Sequence, residues 1–443
     1  MSATGVRPSF GLEILVRETK PFAVIVAGVV YPEPSPTGKC ALQYAEALAE
    51  RADIGIVFVR MAPGRIDGLR WRGFELFGLS SWRLAIENWL RAKRRGGASR
   101  ALGGAFSAGI WLMRSLGRFQ NGLFWPNNLR WFAKKARRKL EAINRTRPID
   151  IVFTINSPYA AHLAGLKFKL AHPGVRWMTY SVDPLSGDPT ARRAFFLRGA
   201  WGRRDRVAER LVYLKADANF VSDELYIRPD PLFRDAQGKT RPLPYVLSKP
   251  PSVEASKYFD PSKTNLLFAG RFYRKIRNPE YLLEVFSRTK DPNMLLHLYA
   301  AGDCDDIIER YAAKSAGRII RHPVVGQDVI REVISAADIL VNVGNTTPSN
   351  KPSKTFEYIS TGRPIVHFHV PGSMDGALSM YPLVLQVEQS DQEVVAKSQE
   401  LERFCLANRG ARLAWVAITG IYRNHTQDKL REVLLSGAAL NSR

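Results

Sequence analysis

The chain is poor in cysteine, in acidic residues and in long apolar runs. Its 443 residues include three cysteines, Cys40, Cys304 and Cys405, far apart and without CxxC spacing. That excludes a disulfide framework and a thiolate zinc site, and isolated thiols suit a reducing cytoplasm. No window reaches the ~18 uninterrupted apolar residues of a membrane-spanning helix; the nearest, 101–112, is short and rich in glycine and alanine. The N-terminal stretch carries Glu13 and Glu18 in place of a basic start followed by an apolar run, so a secretory leader is not expected. Nucleotide and hydrolase motifs are missing as well. The loop GVVYPEPSPTGKC after the first apolar run contains Gly28 and Gly38 but no GxGxxG, and neither GxxxxGK[ST] nor GxSxG occurs. Support for dinucleotide-dependent oxidoreduction, P-loop NTP hydrolysis and serine esterase chemistry falls away. His367 and His369 in HFH share a strand face but have no acidic or cysteine partner at ligand spacing, so no metal site is assigned.

What the chain has in excess is positive charge: 65 Lys and Arg against 41 Asp and Glu leave +24. An anionic partner follows from such a field. The excess is local. Residues 60–147 hold 20 Lys and Arg against four acids, so 20 − 4 gives +16, interleaved with Trp71, Trp82, Trp89, Trp111, Trp125 and Trp131. Two readings stand side by side: helices lying in a lipid interface, or solvated helices whose tryptophans pack on the core.

Around this segment the sequence has an α/β rhythm. FAVIVAGVV (22–30), IGIVFV (54–59), DIVFTI (150–155) and RWMTYSVD (176–183) read as strands of a parallel sheet buried on both faces, with a helix over 41–50. Seven prolines between Asp223 and Lys263 read as an interdomain connection. The rhythm then restarts with NLLFAG (265–270), MLLHLYAAG (294–302), RIIRHP and DILVNVG (338–344). The expected architecture is α/β: two Rossmann-like domains facing each other across a cleft, with a basic helical insertion in the first. The expected boundaries are 1–222 for the first domain with its insertion at about 60–147, and 223–263 for the connection. A second domain over 264–410 and a helical tail over 411–443, packing back on the first domain, complete the division.

The informative segments lie in the second domain. In NVGNTTPSNKPSKTFEYISTGRPIV (342–366) a strand ends in a polar loop and a helix begins near Pro352. Its N-terminal N–H groups at Ser353 and Lys354 suit a phosphate, and Glu357 one turn deeper suits vicinal hydroxyls. Upstream, AGRFYRKIRNPEYL leaves a strand through Gly270 and sends Arg271, Arg274, Lys275 and Arg277 to the same edge, an arrangement fit for a diphosphate.

At these residues the chain resembles the donor-binding half of GT-B glycosyltransferases, especially retaining family four, the glycosyl transferases group one. The resemblance is strong over about 265–370, weaker over 21–59 and 150–222, and hardly touches the insertion. It implies that Arg271 and Lys275 hold the donor diphosphate in a catalytic role, and that Glu357 binds the nucleotide ribose. It also implies that backbone near Val324 and Val325 meets the base, and that the Gly38 loop approaches donor phosphate or acceptor. Ser157 and His162 lie past one strand end and Asp183 past the next; either His162 or Asp183 contacts the transferred sugar or orients the acceptor hydroxyl. The family's frequent E-x7-E pattern would place its first glutamate at position 349, where this chain has Ser349, though TPSNKPSK still offers backbone amides and Asn350.

The expectation is therefore a glycosyltransferase moving a sugar, with retention, from a nucleoside-diphosphate sugar to a glycan or lipid-linked acceptor, in cell-surface polysaccharide or glycolipid biosynthesis. It needs no cofactor besides that donor substrate and no metal. The expected place is the cytoplasm or the cytoplasmic face of a membrane, with the anionic membrane surface as a further partner. The competing readings are a non-catalytic basic module for acidic lipid or nucleic acid and a GT-B-like sugar-nucleotide epimerase. Zinc-finger, helix-turn-helix and RNP patterns are absent, so nucleic acid is not the expected partner.

Overall fold

A computed structural model describes residues 20–61, 64–95, 100–126, 129–182, 185–186, 198–222, 235–346, 354–372, 376–390 and 393–439. The first domain runs β1 (Phe22–Ala27), α1 (Pro36–Leu48), β2 (Asp53–Val59), β3 (Ile66–Trp71), β4 (Phe74–Leu79), α2 (Trp82–Arg95), α3 (Arg100–Leu123) and α4 (Arg130–Thr146). It continues with β5 (Ile151–Ile155), α5 (Ala160–Ala171), β6 (Arg176–Ser181), α6 (Arg198–Lys215), β7 (Ala218–Val221) and β8 (Thr240–Pro242). The second runs β9 (Thr264–Phe272), α7 (Glu280–Ser287), β10 (Met294–Gly302), α8 (Asp305–Lys314), β11 (Ile319–Arg321), α9 (Gln327–Ala336), β12 (Ile339–Val343) and α10 (Lys354–Thr361). Then come β13 (Ile365–His369), α11 (Gly376–Ser379), β14 (Val384–Glu388), α12 (Val394–Asn408), α13 (Trp415–Ile421) and α14 (Gln427–Ala438).

The central strands are the apolar, β-branched runs of the sequence, and all six residues of β1 and all five of β5 are buried. Such strands are covered on both faces, which is why they lack polar alternation. The first sheet has the order β3-β4-β2-β1-β5-β6-β7-β8 and the second β11-β10-β9-β12-β13-β14. All pairings are parallel except β3 on β4. The second order is the doubly wound pattern 3-2-1-4-5-6, and in the first sheet too the chain crosses from one side of β1 to the other. The switch points therefore fall between β9 and β12 and between β1 and β5, where helices leave in opposite directions and a crevice opens at the carboxyl ends.

The insertion differs from expectation. It opens with β3 and β4, a hairpin that extends the first sheet beside β2, so it is not purely helical. Gly68 at φ +74, inside β3, breaks up the pattern that would have marked that strand, and Gly73 at φ +82 makes the turn into β4. Its last helix, α4, buries Phe132, Ala133, Ala136, Leu140 and Ile143 on one side and exposes Lys134, Lys135, Arg137 and Arg138 on the other. That part of the basic charge is a solvated helix face. The connecting segment also contributes a strand, since β8 pairs with β7 in the first sheet.

After the second sheet the chain folds back. α12 contributes Leu401 and Cys405 to one face of the second domain's core, and α13 contributes Ile418 to the other. α14 places Leu430, Leu434 and Ala438 in the first domain's core beside Phe220. Replacing fully buried Leu434 by alanine should lower stability by about 2–5 kcal/mol, read as a lower urea midpoint; a change under ~0.5 kcal/mol would mean that α14 is not part of that core.

Candidate functional site

The site is assembled at the β9–β12 switch point. The β9–β12 ladder ends early, at Ile339 opposite Leu266 and Leu340 opposite Leu267. Beyond it the Tyr358 hydroxyl takes the place of a strand partner, accepting from the Ala269 N–H at 3.0 Å and donating to the Ala269 carbonyl at 3.3 Å. One buried side chain thus satisfies the backbone that the parted strands leave behind and ties α10 to β9. The loops beyond are tied together too: Thr346 N–H donates to the Ile276 carbonyl at 2.8 Å, and its hydroxyl to the Lys275 carbonyl at 3.1 Å.

Cations gather around this frame. Arg277 is half-buried, and its Nε donates to Asn345 Oδ1 at 3.1 Å; burial lowers its pKa. Lys354 and Glu357 are half-buried on the first turn of α10, while Tyr358 and Thr361 face the core. The Lys354 ammonium is also lowered, first by desolvation and then by the charges of Lys39 and Arg277, while Glu357 works the other way. Lys354 has no side-chain hydrogen bond among the described residues. Arg271, near the end of β9 opposite Ala301, and Lys275 in the turn after it are exposed. Arg274 does not join them: its guanidinium donates to both carboxylate oxygens of Asp306, at 2.6 and 2.8 Å. Gly270 and the loop of Val324 and Val325 lie on the same carboxyl edge; Val324 is 76% exposed and Val325 packs on the core.

The first domain answers with its own switch-point loops. Ser35 caps α1 by accepting from the Gly38 N–H at 3.1 Å, and Thr37 donates to the Ser157 carbonyl at 3.2 Å. A Cβ on Gly38 would lie 1.9 Å from the Val29 carbonyl oxygen, so only glycine fits this turn. The next residue, Lys39, crosses to the second domain and donates to Gln327 Oε1 at 2.6 Å. Lys39 was not among the sequence candidates; its signal is a cation directly after the glycine in the first turn of α1.

His162 needs correction. It is fully buried, with Nδ1 2.8 Å from Thr154 Oγ1 and Nε2 3.1 Å from Ser181 Oγ, and burial pushes its pKa down to about 3. It is a neutral core histidine joining β5, α5 and β6, and it touches no substrate from there. Asp183 and Ser353, with Ser349 and Asn350, lie outside the described residues.

Residues 263–399 match the family described as glycosyl transferases group 1. The second domain is a group 1 glycosyltransferase domain. Solved structures similar over the whole chain extend the likeness to the architecture. Sucrose-phosphate synthase from Thermosynechococcus elongatus has a TM-score of 0.59 at 14% identity, over 95% of this chain and 96% of that one. The UDP-forming trehalose-phosphate synthase of Burkholderia xenovorans gives 0.57 at 12%, over 95% and 99%. Anabaena HepE, in complex with UDP and glucose, gives 0.53 at 12%, over 94% and 99%. At these identities the likeness is one of fold, and that fold is GT-B. No curated relative matches in sequence. The group 1 match over the second domain and the GT-B fold of the chain together support a glycosyltransferase.

Two variants test the frame. Tyr358→Phe leaves the Ala269 N–H and carbonyl without their partner and should cost about 1–3 kcal/mol in chemical denaturation; a loss under ~0.5 kcal/mol would mean that these groups find water. For His162, a folded pKa below the ordinary 6.5 favours the neutral form, so its contribution is present above about 6.5 and is lost as pH falls toward about 3. The urea midpoint of the wild type should therefore fall more steeply than that of His162→Gln between those values, whereas parallel curves would mean a solvated imidazole.

Proposed function

We propose that the protein transfers a sugar from a nucleoside-diphosphate sugar to a hydroxyl of a glycan or lipid-linked acceptor. The observation that carries this reading is the half-buried Lys354 at the switch-point crevice, on which Lys39 of the first domain and Arg277 of the second both act as nearby positive charges with Glu357 as the acid working against them. The surplus of positive charge there calls for an anion of more than one charge. In this reading Arg271, Lys275 and Lys354, with Ser353 just before it in the sequence, hold the diphosphate by hydrogen bonds. Glu357 accepts from the ribose hydroxyls, and the base lies along the Val324–Val325 backbone. That the HepE neighbour holds UDP and glucose supports a donor of this class.

When the glycosidic bond to the diphosphate breaks, negative charge develops on the β-phosphate, and cations fixed there beforehand lower the barrier. The reading includes retention: the acceptor oxygen forms its bond to the anomeric carbon on the face that the nucleoside diphosphate leaves. The acceptor proton passes to a donor phosphate oxygen, and Asp183 orients the acceptor hydroxyl. Cytoplasmic assembly of a cell-surface polysaccharide or glycolipid suits such a donor and such an acceptor.

The test is incubation with mass-tagged sugar nucleotides and glycan or glycolipid acceptors, comparing the wild type with Arg271→Ala, Lys275→Ala and Glu357→Gln. Each loss of charge at 271 or 275 should lower kcat/KM by about 10- to 150-fold, or roughly 1.5–3 kcal/mol. Glu357→Gln should raise donor KM, and less so with a 2′,3′-dideoxy donor. Wild-type kinetics in all three would remove the donor-site assignment, and binding without turnover of any sugar nucleotide would leave a binding module.

A further inference from the structure

The hairpin of α2 and α3 holds a charged cluster beside apolar contacts, in which Leu90 lies against Gly109 and the Trp89 ring meets Phe106 edge-on at 6.4 Å, and it leaves large apolar side chains exposed. Where α2 faces α3, Arg83, Glu87 and Asn88 are buried. The Glu87 carboxylate accepts from Arg83 and, across the hairpin, from Arg114, both at 3.4 Å, and also from Arg91. Arg83 donates in addition to the Met113 carbonyl at 3.0 Å. On the outside, Trp82, Ile86 and Trp89 recur at i, i+4 and i+7 along α2, and Trp111, Leu112 and Phe119 stand out from α3. All six are between 41% and 64% exposed. Of the buried apolar side chains of α2, Leu84 is the one that joins the first domain's core.

An ordinary surface hairpin keeps its charges in water and covers most of its large apolar side chains. Six large apolar side chains along two adjacent helices form a patch of the kind that marks an interaction surface. The other tryptophans of the basic segment do not take part. Trp125 donates to Asp205 Oδ1 at 2.8 Å beneath the Arg204 guanidinium, and Trp131 packs on the core.

The charge around the patch says what covers it. From Trp82 to Leu123 the sequence has eight Lys and Arg and one acid, Glu87, and that acid is consumed inside the hairpin. Exposed Lys93, Arg94 and Arg118 flank the tryptophans with no exposed acid among them. Indole rings settle at the headgroup level of a bilayer, and each nearby Lys or Arg adds about 1 kcal/mol toward anionic lipid. No helix among the described residues is long and apolar enough to cross a membrane, so contact is with the surface. We propose that the outer face of the α2–α3 hairpin docks on an anionic lipid bilayer, with Trp82, Trp89 and Trp111 seated among the headgroups. This deepens the reading of the acceptor as lipid-linked, and it rests on that reading only for its purpose.

The test is sedimentation of the full chain with vesicles of phosphatidylcholine alone and of equal parts phosphatidylcholine and phosphatidylglycerol, at low and high salt. The wild type should pellet with the anionic vesicles at low salt and be released as the Debye length falls from about 10 Å at 0.1 M to about 3 Å at 1 M. The Trp89→Ser/Trp111→Ser variant should bind at least about tenfold more weakly while keeping wild-type transfer to a water-soluble acceptor, which separates this proposal from the donor-site reading. Quenching of wild-type tryptophan fluorescence by brominated lipid, expected on docking, needs no variant. Equal binding by the variant, absence of quenching, tighter binding to single-stranded RNA than to vesicles, or a dimer that dissociates when the two tryptophans are replaced would each overturn it.

Discussion

The Tyr358 hydroxyl on Ala269 is the constraint on which the geometry of the candidate site depends. A doubly wound sheet parts its strands where the winding reverses, and the parted backbone must find other hydrogen-bond partners. Here a single buried hydroxyl both accepts from and donates to Ala269, and it stands on the turn of α10 that carries Lys354 and Glu357. The distance between the β9 turn and α10 is thereby fixed before any ligand arrives. Arg277 bonded to Asn345, and Thr346 bonded to the 275–276 backbone, fix the opposite wall. Groups held in place in this way need little rearrangement as charge develops on a leaving diphosphate.

The net charge of +24 is divided among unlike tasks. On α4 it is a solvated face opposite the apolar stripe that covers the sheet. In the cleft it is a small group of half-buried cations drawn from both domains, with Lys39 reaching Gln327 across the gap. On the α2–α3 hairpin part of it is turned inward around Glu87, which frees the aromatic side chains for the outer face. Sequence counts pool these roles; burial separates them.

The features legible in the sequence were those that local chemistry dictates. Continuous apolar runs gave β1, β2, β5 and β9, and the strand–turn–helix spacing after β9 and β12 placed Arg271, Arg277, Lys354 and Glu357 at one edge. The hairpin of β3 and β4 was not legible, because its glycines interrupt the pattern and its outer strand is largely exposed. His162 was misread because helix position does not reveal that Thr154 and Ser181 from two strands enclose its ring. Arg274 was misread because its partner, Asp306, comes from the start of the next helix but one. Lys39 was missed because its contact joins residues 288 positions apart in different domains.

The proposed binding of a nucleoside diphosphate between the domains at the β9–β12 switch point is open to direct measurement. Amide hydrogen exchange of the full chain, with and without a nucleoside diphosphate whose binding calorimetry has verified, tests it most directly. Slower exchange on binding is expected at 270–277, at 344–346 and along the first turn of α10, together with slower exchange at 35–40 in the first domain. Protection confined to the first domain, or lying elsewhere in the second while these segments exchange as before, would contradict it.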